Sequence, residues 1–179
     1  FLDNKNIKHF KPKEYAKQIG FLMQSHNVGY SFTVNEIVKL GRYSYSSGLL
    51  MTADENLIDK ALELTGMKSL KNRSVLTLSG GELQRTFLAQ LFAQDPNILV
   101  LDEPTNNLDF VYQKQIFDII KNWLKSPGKS VISVVHDLNL AKSYGTHGLL
   151  INNGKTEASG DISSVLSKEN LNRVYKMDV

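Results

Sequence analysis

Asp102 and Glu103 stand directly after Ile98-Leu99-Val100-Leu101, an uninterrupted apolar run preceded by the break Asp95-Pro96-Asn97. Such a run predicts a strand buried on both faces, as strands of parallel sheets are. Two adjacent acids at the carboxyl end of that strand sit where ligands bind in open α/β sheets, and they are costly there unless a cation or a reaction uses them. In phosphoryl transfer, an acid at this place holds Mg²⁺, usually through water, while a second group orients or deprotonates the attacking water. Asp102 suits the first role and Glu103 the second.

Upstream lies Ser79-Gly80-Gly81-Glu82. Ser79 can accept from the first free N–H groups of a helix, and Glu82 completes a capping box. Gly80 and Gly81 have no Cβ, so a bulky anion such as a phosphate could approach the backbone at the positive end of that helix. Downstream, Val131-Ile132-Ser133-Val134-Val135 reads as a second buried strand and ends at His136-Asp137. A histidine directly after a parallel strand, in the same chain as Asp102-Glu103, is a candidate site residue. His9, His26 and His147 have no such context.

These groups need elements to hold them. The 13–18 stretch predicts a helical turn, and Ile19 to Met23 a short strand with Gln24 at its end. Residues 25–77 read as helices: Thr33-Val34-Asn35-Glu36 opens one to about Leu40 with Gly41 ending it, and Thr52-Ala53-Asp54-Glu55 opens another. Leu57, Ile58, Ala61, Leu62 and Leu64 give the second its stripe up to Gly66. Ile116, Ile119, Ile120, Trp123 and Leu124 repeat at helical spacing over 110–125, which puts Trp123 in the core. Leu149-Leu150-Ile151, Asn152-Asn153-Gly154 and Lys155 to Ala158 read as a hairpin with an Asn-Gly turn, followed by short helices from Asp161 and over about Glu169 to Lys176.

Composition narrows the class. A chain of 179 residues that is 41% hydrophobic and 22% charged can build one compact domain. It has no cysteine, so neither a disulfide nor a thiolate metal site is available. No apolar run reaches the roughly 18 residues that span a bilayer, and the opening FLDNKNIKHF is no signal peptide, so any membrane role comes through a partner. The net charge is +3, with lysines crowded at Lys5, Lys8, Lys11, Lys13 and Lys17. A solvated face accounts for that excess, and no nucleic-acid partner is expected.

In this order and spacing, LSGGELQRTFLAQLFAQDPNILVLDEPTNNLD resembles the signature, magnesium-binding and linking segments of an ATP-binding cassette (ABC) ATPase. The resemblance implies an α/β fold: a partial P-loop NTPase-like domain with a mostly parallel sheet flanked by helices and a helical insert. Residues 1–24 and 78–179 would form the catalytic core part and 25–77 the helical subdomain. It also implies roles. Gln24 would be the Q-loop glutamine, reaching Mg²⁺ and the attacking water; His136 the H-loop histidine at the γ-phosphate; Asp109 the residue that carries the signal across a dimer. Ser79, Gly80, Gly81 and Glu82 would face the ATP bound by a second ABC domain in a head-to-tail dimer. TVNEIVKLGRYSY and HDLNLA look like importers of iron-siderophore, haem or cobalamin type. The partners implied are a permease, docked on the insert, and indirectly a substrate-binding protein; Tyr30, Phe32, Tyr43 and Tyr45 are candidates for the docking surface, and packing within the insert accounts for each of them at least as well. The place implied is peripheral, on the cytoplasmic side of the membrane.

One segment of the family pattern is missing. Gly128-Lys129-Ser130 and Gly154-Lys155-Thr156 are the Gly-Lys-hydroxyl triplets present, but Trp123 and Leu149 stand where a P-loop needs its first glycine. The family's P-loop precedes the Q-loop, which places it before Phe1. The resemblance therefore implies a truncated ATPase subunit whose present chain is inactive alone. The alternative is a naturally short, non-hydrolysing partner lending its LSGGE face to another subunit, against which Glu103 and His136 count. A DNA- or ribosome-directed relative would show coiled-coil or strongly basic insertions, and none is visible.

Overall fold

The order of apolar runs and helical stretches is realised as a parallel sheet with helices laid on one side. The computed structural model describes residues 1–2, 4–24, 29–45, 52–106 and 108–176, apart from the side chains of residues 52 and 53. The chain divides into two compact units, Phe1–Val134 and Val135–Val179.

In the first unit, strands β1 (Ile19–Leu22), β2 (Ile98–Asp102) and β3 (Ser130–Val134) lie parallel in the order β1-β2-β3. Gly20 and Leu22 stand beside Leu99 and Leu101, and Leu99 beside Val131. Leu22, Leu99 and Leu101 are buried beneath helix α4 (Gly80–Gln94). The strand and helix approach closely because residue 20 has no side chain: a Cβ there would lie 3.0 Å from Pro96 Cγ and 3.2 Å from Leu91 Cδ2. Gln94 completes the joint by donating its amide to the carbonyls of Ala16 and Ile19, the second at 3.0 Å.

The other face of the sheet corrects an expectation. β2 and β3 are not buried on both faces: Ile98 and Val100 are half-buried, while Phe21, Ile132 and Val134 are 55%, 63% and 50% exposed. Period-two alternation replaces the two-sided burial that continuous apolar runs suggest.

Helix α1 (Pro12–Gln18) leads directly into β1, with proline in its first turn, where a missing N–H costs nothing. Helices α2 (Val34–Leu40) and α3 (Thr52–Leu64) pack on α4. α2 starts at the expected capping box: Thr33 Oγ1 accepts from the Glu36 N–H and the Glu36 carboxylate accepts from the Thr33 N–H. The box expected at Thr52 falls on side chains outside the described set. Ile58, Ala61 and Leu62 are buried, as their spacing requires, and Leu57 and Leu64 are half-buried.

Buried Arg42 ties the insert together. It pairs with Asp54 at 2.7 Å, donates to the Ala93 carbonyl at 2.9 Å, and lies over the Tyr45 ring. Tyr45 is thus packed within the insert, whereas Tyr30 and Tyr43 are 76% and 74% exposed. The 3₁₀ turns Lys68–Leu70 and Val75–Thr77 return the chain to α4. The Val34 N–H donates to the Arg73 carbonyl at 3.0 Å and Thr33 bridges Ser74, so the insert begins and ends at one place.

Helix α5 (Phe110–Trp123) buries Ile116, Phe117, Ile120 and Trp123. Trp123 is core, as its place in the stripe predicts, and stacks on Phe92 of α4 with ring centroids 5.7 Å apart. Leu124, expected in the stripe, lies past the helix end and is partly exposed.

The second unit holds α6 (Leu138–Tyr144), the hairpin β4 (His147–Asn152) and β5 (Lys155–Asp161), α7 (Ile162–Val165) and α8 (Lys168–Tyr175). The Asn-Gly turn is as expected: Asn153 and Gly154 have φ of 49° and 74°, the left-handed pair of a type I′ connection. Among the described residues, no helix is long and apolar enough to cross a membrane.

Candidate active site

β2 delivers Asp102 and Glu103 to its carboxyl end, both half-buried. Asp102 is the last residue in register with β3, beside Val134. The chain then turns sharply: Glu103 has φ of 47°, a left-handed conformation that costs an L-residue about 1–2 kcal/mol and persists only where its surroundings hold it. The Asn106 N–H closes this turn on the Glu103 carbonyl at 3.1 Å, and the Leu108 N–H donates to Thr105 O at 3.3 Å. From the end of β1, Gln24 Nε2 donates to Glu103 Oε2 at 2.8 Å. β1 and β2 are neighbours in the sheet, so their carboxyl ends bring together residues 79 apart in sequence.

The start of α4 is built as its capping residues require. Ser79 Oγ accepts from the Glu82 N–H at 3.3 Å, and Glu82 Oε2 accepts from the Ser79 N–H at 2.8 Å and its hydroxyl at 3.0 Å. The Ser79 backbone N–H, followed by its hydroxyl, holds the Glu82 carboxyl below its usual range. Ser79 and Gly80 are exposed. Among the described residues a Cβ at Gly80 would meet only Leu108 Cδ2, at 4.0 Å, so none of them demands a glycine there. The open backbone suits an external group at the positive helix end. Gly81 is buried, its missing Cβ 3.4 Å from Tyr112 Cδ1. Asp109 caps α5 by accepting from the Tyr112 N–H at 3.1 Å.

The first unit therefore brings Gln24 to Glu103, beside Asp102, and sets Ser79 to Glu82 against the Leu108 to Tyr112 segment. Asn107 lies outside the described residues. His136 belongs to the second unit, where it precedes Asp137, the cap of α6.

Sequence reasoning missed two residues. Gln84 of α4 donates its amide to the Pro104 carbonyl at 2.7 Å, and Gln113 of α5 reaches the Thr105 carbonyl at 3.4 Å. Two helices thus grip consecutive carbonyls of the loop that follows Glu103. Their one signal was a glutamine on a helix near the motifs, which has too many uses to be read alone.

The donor set bears on a cation. Among the described residues, no group of three or more His, Cys, Asp or Glu could hold a metal. Mg²⁺ does not need one, since it takes one or two carboxylates and completes its octahedron with water and phosphate oxygens. Asp102 offers a hard carboxylate. Gln24 uses its Nε2 on Glu103, which leaves the amide oxygen as a second hard donor, so the residues present fit Mg²⁺ brought with a nucleotide.

Residues 1–106 match the family described as ABC transporter. The petrobactin import ATP-binding protein FpuC of Bacillus anthracis is 36% identical over 180 residues, covering 99% of this chain and 66% of the relative. The ferric enterobactin transport ATP-binding protein FepC of Escherichia coli (strain K12) is 36% identical over 179 residues, covering 98% and 65%. The chain therefore spans just under two thirds of the length of these relatives. A solved dimeric post-hydrolysis state of the ATP-binding cassette MJ0796, bound to ADP and Pi, superposes with a TM-score of 0.76 at 26% identity, over 90% of this chain and 72% of that one. Sequence and fold agree, and the chain belongs to the ABC transporter family.

Proposed function

We propose that the protein carrying this chain is the ATP-hydrolysing subunit of an ABC importer for metal chelates of siderophore, haem or cobalamin type. The observation that carries the hydrolytic part is Glu103, held in a left-handed backbone with its carboxylate on the Gln24 amide. A bland strand end needs neither the backbone cost nor a partner from another strand.

In this reading Glu103 takes the proton of the attacking water, and the Gln24 amide fixes which carboxylate oxygen faces it. Asp102 and the Gln24 oxygen are the groups that would hold the hydrated cation. Mg²⁺ bound with ATP supplies charge neutralisation on the phosphates. His136 meets the γ-phosphate, and Asp109 transmits the state of one site to the other. Ser79, Gly80 and Gly81 face the nucleotide of a second ABC domain, with Glu82 orienting Ser79 until then.

The helical subdomain, 25–77, docks on the permease, and the exposed Tyr30 and Tyr43 suit that contact. The subunit is peripheral on the cytoplasmic side, and a substrate-binding protein acts upstream. The present chain alone is inactive, because the cradle for the β- and γ-phosphates is not among its residues. Chelate import is supported by the similarity to the petrobactin import and ferric enterobactin transport ATP-binding proteins, and by TVNEIVKLGRYSY and HDLNLA.

The test is ATP turnover by the full-length protein with its permease. Glu103→Gln should lower kcat about 10²- to 10⁴-fold, the range of a general base, while ATP still binds. An equally fast Glu103→Gln variant, or a wild-type protein without turnover, would refute the hydrolytic reading.

A further inference from the structure

We infer that Gln84 is a positioning residue for Glu103, an inference that rests on the hydrolytic reading above. Gln84 sits on α4, half-buried, and its Nε2 donates at 2.7 Å to the carbonyl of buried Pro104, the residue directly after Glu103. Proline fixes its own φ, so with its carbonyl held a single torsion, the ψ of Pro104, separates that anchor from the peptide plane that leaves Glu103. The left-handed Glu103 backbone is held by the sheet on one side and by this loop on the other. Among the described residues four bonds pin the loop: Asn106 N–H to Glu103 O, Leu108 N–H to Thr105 O, Gln84 to Pro104 O and Gln113 to Thr105 O. Of these the Gln84 bond is the shortest, and it comes from outside the loop. The helix that supplies it opens at Ser79, so one rigid rod of about 1.5 Å per residue joins the signature turn to the backbone of the base. A shift of α4 along its axis therefore reaches Glu103 through a single side chain.

The experiment uses the full-length protein with its permease and compares wild type, Gln84→Met, Glu103→Gln and the double variant. Gln84→Met keeps length and volume and removes the donor. One neutral hydrogen bond corresponds to roughly 5-fold in rate, so kcat should fall about 5-fold while KM for ATP holds. In the Glu103→Gln background Gln84→Met should cost nothing further, because Gln84 acts through the carboxylate that is gone. Amide exchange at Asn106 should quicken in Gln84→Met, a readout independent of turnover. Unchanged kcat, unchanged Asn106 exchange, or a loss that recurs in the Glu103→Gln background would overturn the inference. Should Gln84→Met fail to fold, Gln84→Leu is carried through the same comparison. A wild-type protein without turnover sinks the hydrolytic reading and this inference together, whereas an active wild type with an unaffected Gln84→Met sinks the inference alone.

Discussion

Replacing Gly41 with alanine should drive the insert away from the signature helix. The added Cβ would lie 2.1 Å from the Gln90 carbonyl oxygen and 3.0 Å from the Gln94 nitrogen, both backbone atoms of α4. No rotamer change relieves such a clash, so α2 and α4 must part by about 1 Å, a gap that forfeits a quarter to a half of each dispersion contact across it. Val34, Ile37 and Val38, at most 5% exposed, face that loss. Overpacking of this kind costs about 1–3 kcal/mol. The glycine-to-alanine gain from the unfolded chain offsets only about 0.4–1 kcal/mol. A net loss of about 1 kcal/mol is therefore expected, which lowers a urea midpoint by roughly 0.5 M at the slope usual for small domains. The chain's single tryptophan, Trp123, stacks on Phe92 of α4 and reports this by fluorescence. Gly29→Ala is the control: among the described residues nothing lies within 4 Å of its Cβ position, and its midpoint should not fall. An unchanged Gly41→Ala midpoint would refute the close α2–α4 approach.

Two further outcomes follow from charges. Arg42→Met removes the guanidinium paired with Asp54, whose side chain is 9% exposed, and should cost about 3–5 kcal/mol, more than Arg42→Met with Asp54→Leu; urea unfolding of both variants measures the difference. Glu82 has a folded pKa below its unfolded one, so its capping contribution is present above about pH 4.3 and is lost as pH falls through the folded value. The stability difference between wild type and Glu82→Gln should then be flat from pH 7 to about 5 and shrink below about 4, as pH-dependent melting would show; a difference that grows on acidification would contradict the cap.

The helical caps were legible because each is a local bargain between neighbours, as at Thr33-Glu36 and Ser79-Glu82. The parallel sheet was legible from its apolar runs, but the exposure of Ile132 and Val134 was not, since an apolar run is compatible with one covered face or two. Leu124 failed for another reason: the helix ends at Trp123, and periodicity does not mark where a helix stops. Asp102 and Glu103 could be picked out because strand-end acids are costly. Their hold could not, because the Gln24 and Gln84 bonds join residues 79 and 20 apart, and no local pattern encodes such pairs.

The meeting of Thr33 and Ser74 has a kinetic consequence. β1 must find β2 across 79 residues, a non-local pairing of the kind that slows folding. Once the Thr33–Ser74 bridge and the Val34 to Arg73 bond close the insert on itself, the search shrinks to the segments flanking it. Prior docking of the insert on α4 then makes β1 a short final addition at the sheet edge. The hydrogen bond from Gln24 to Glu103 would then be among the last contacts of this unit to form.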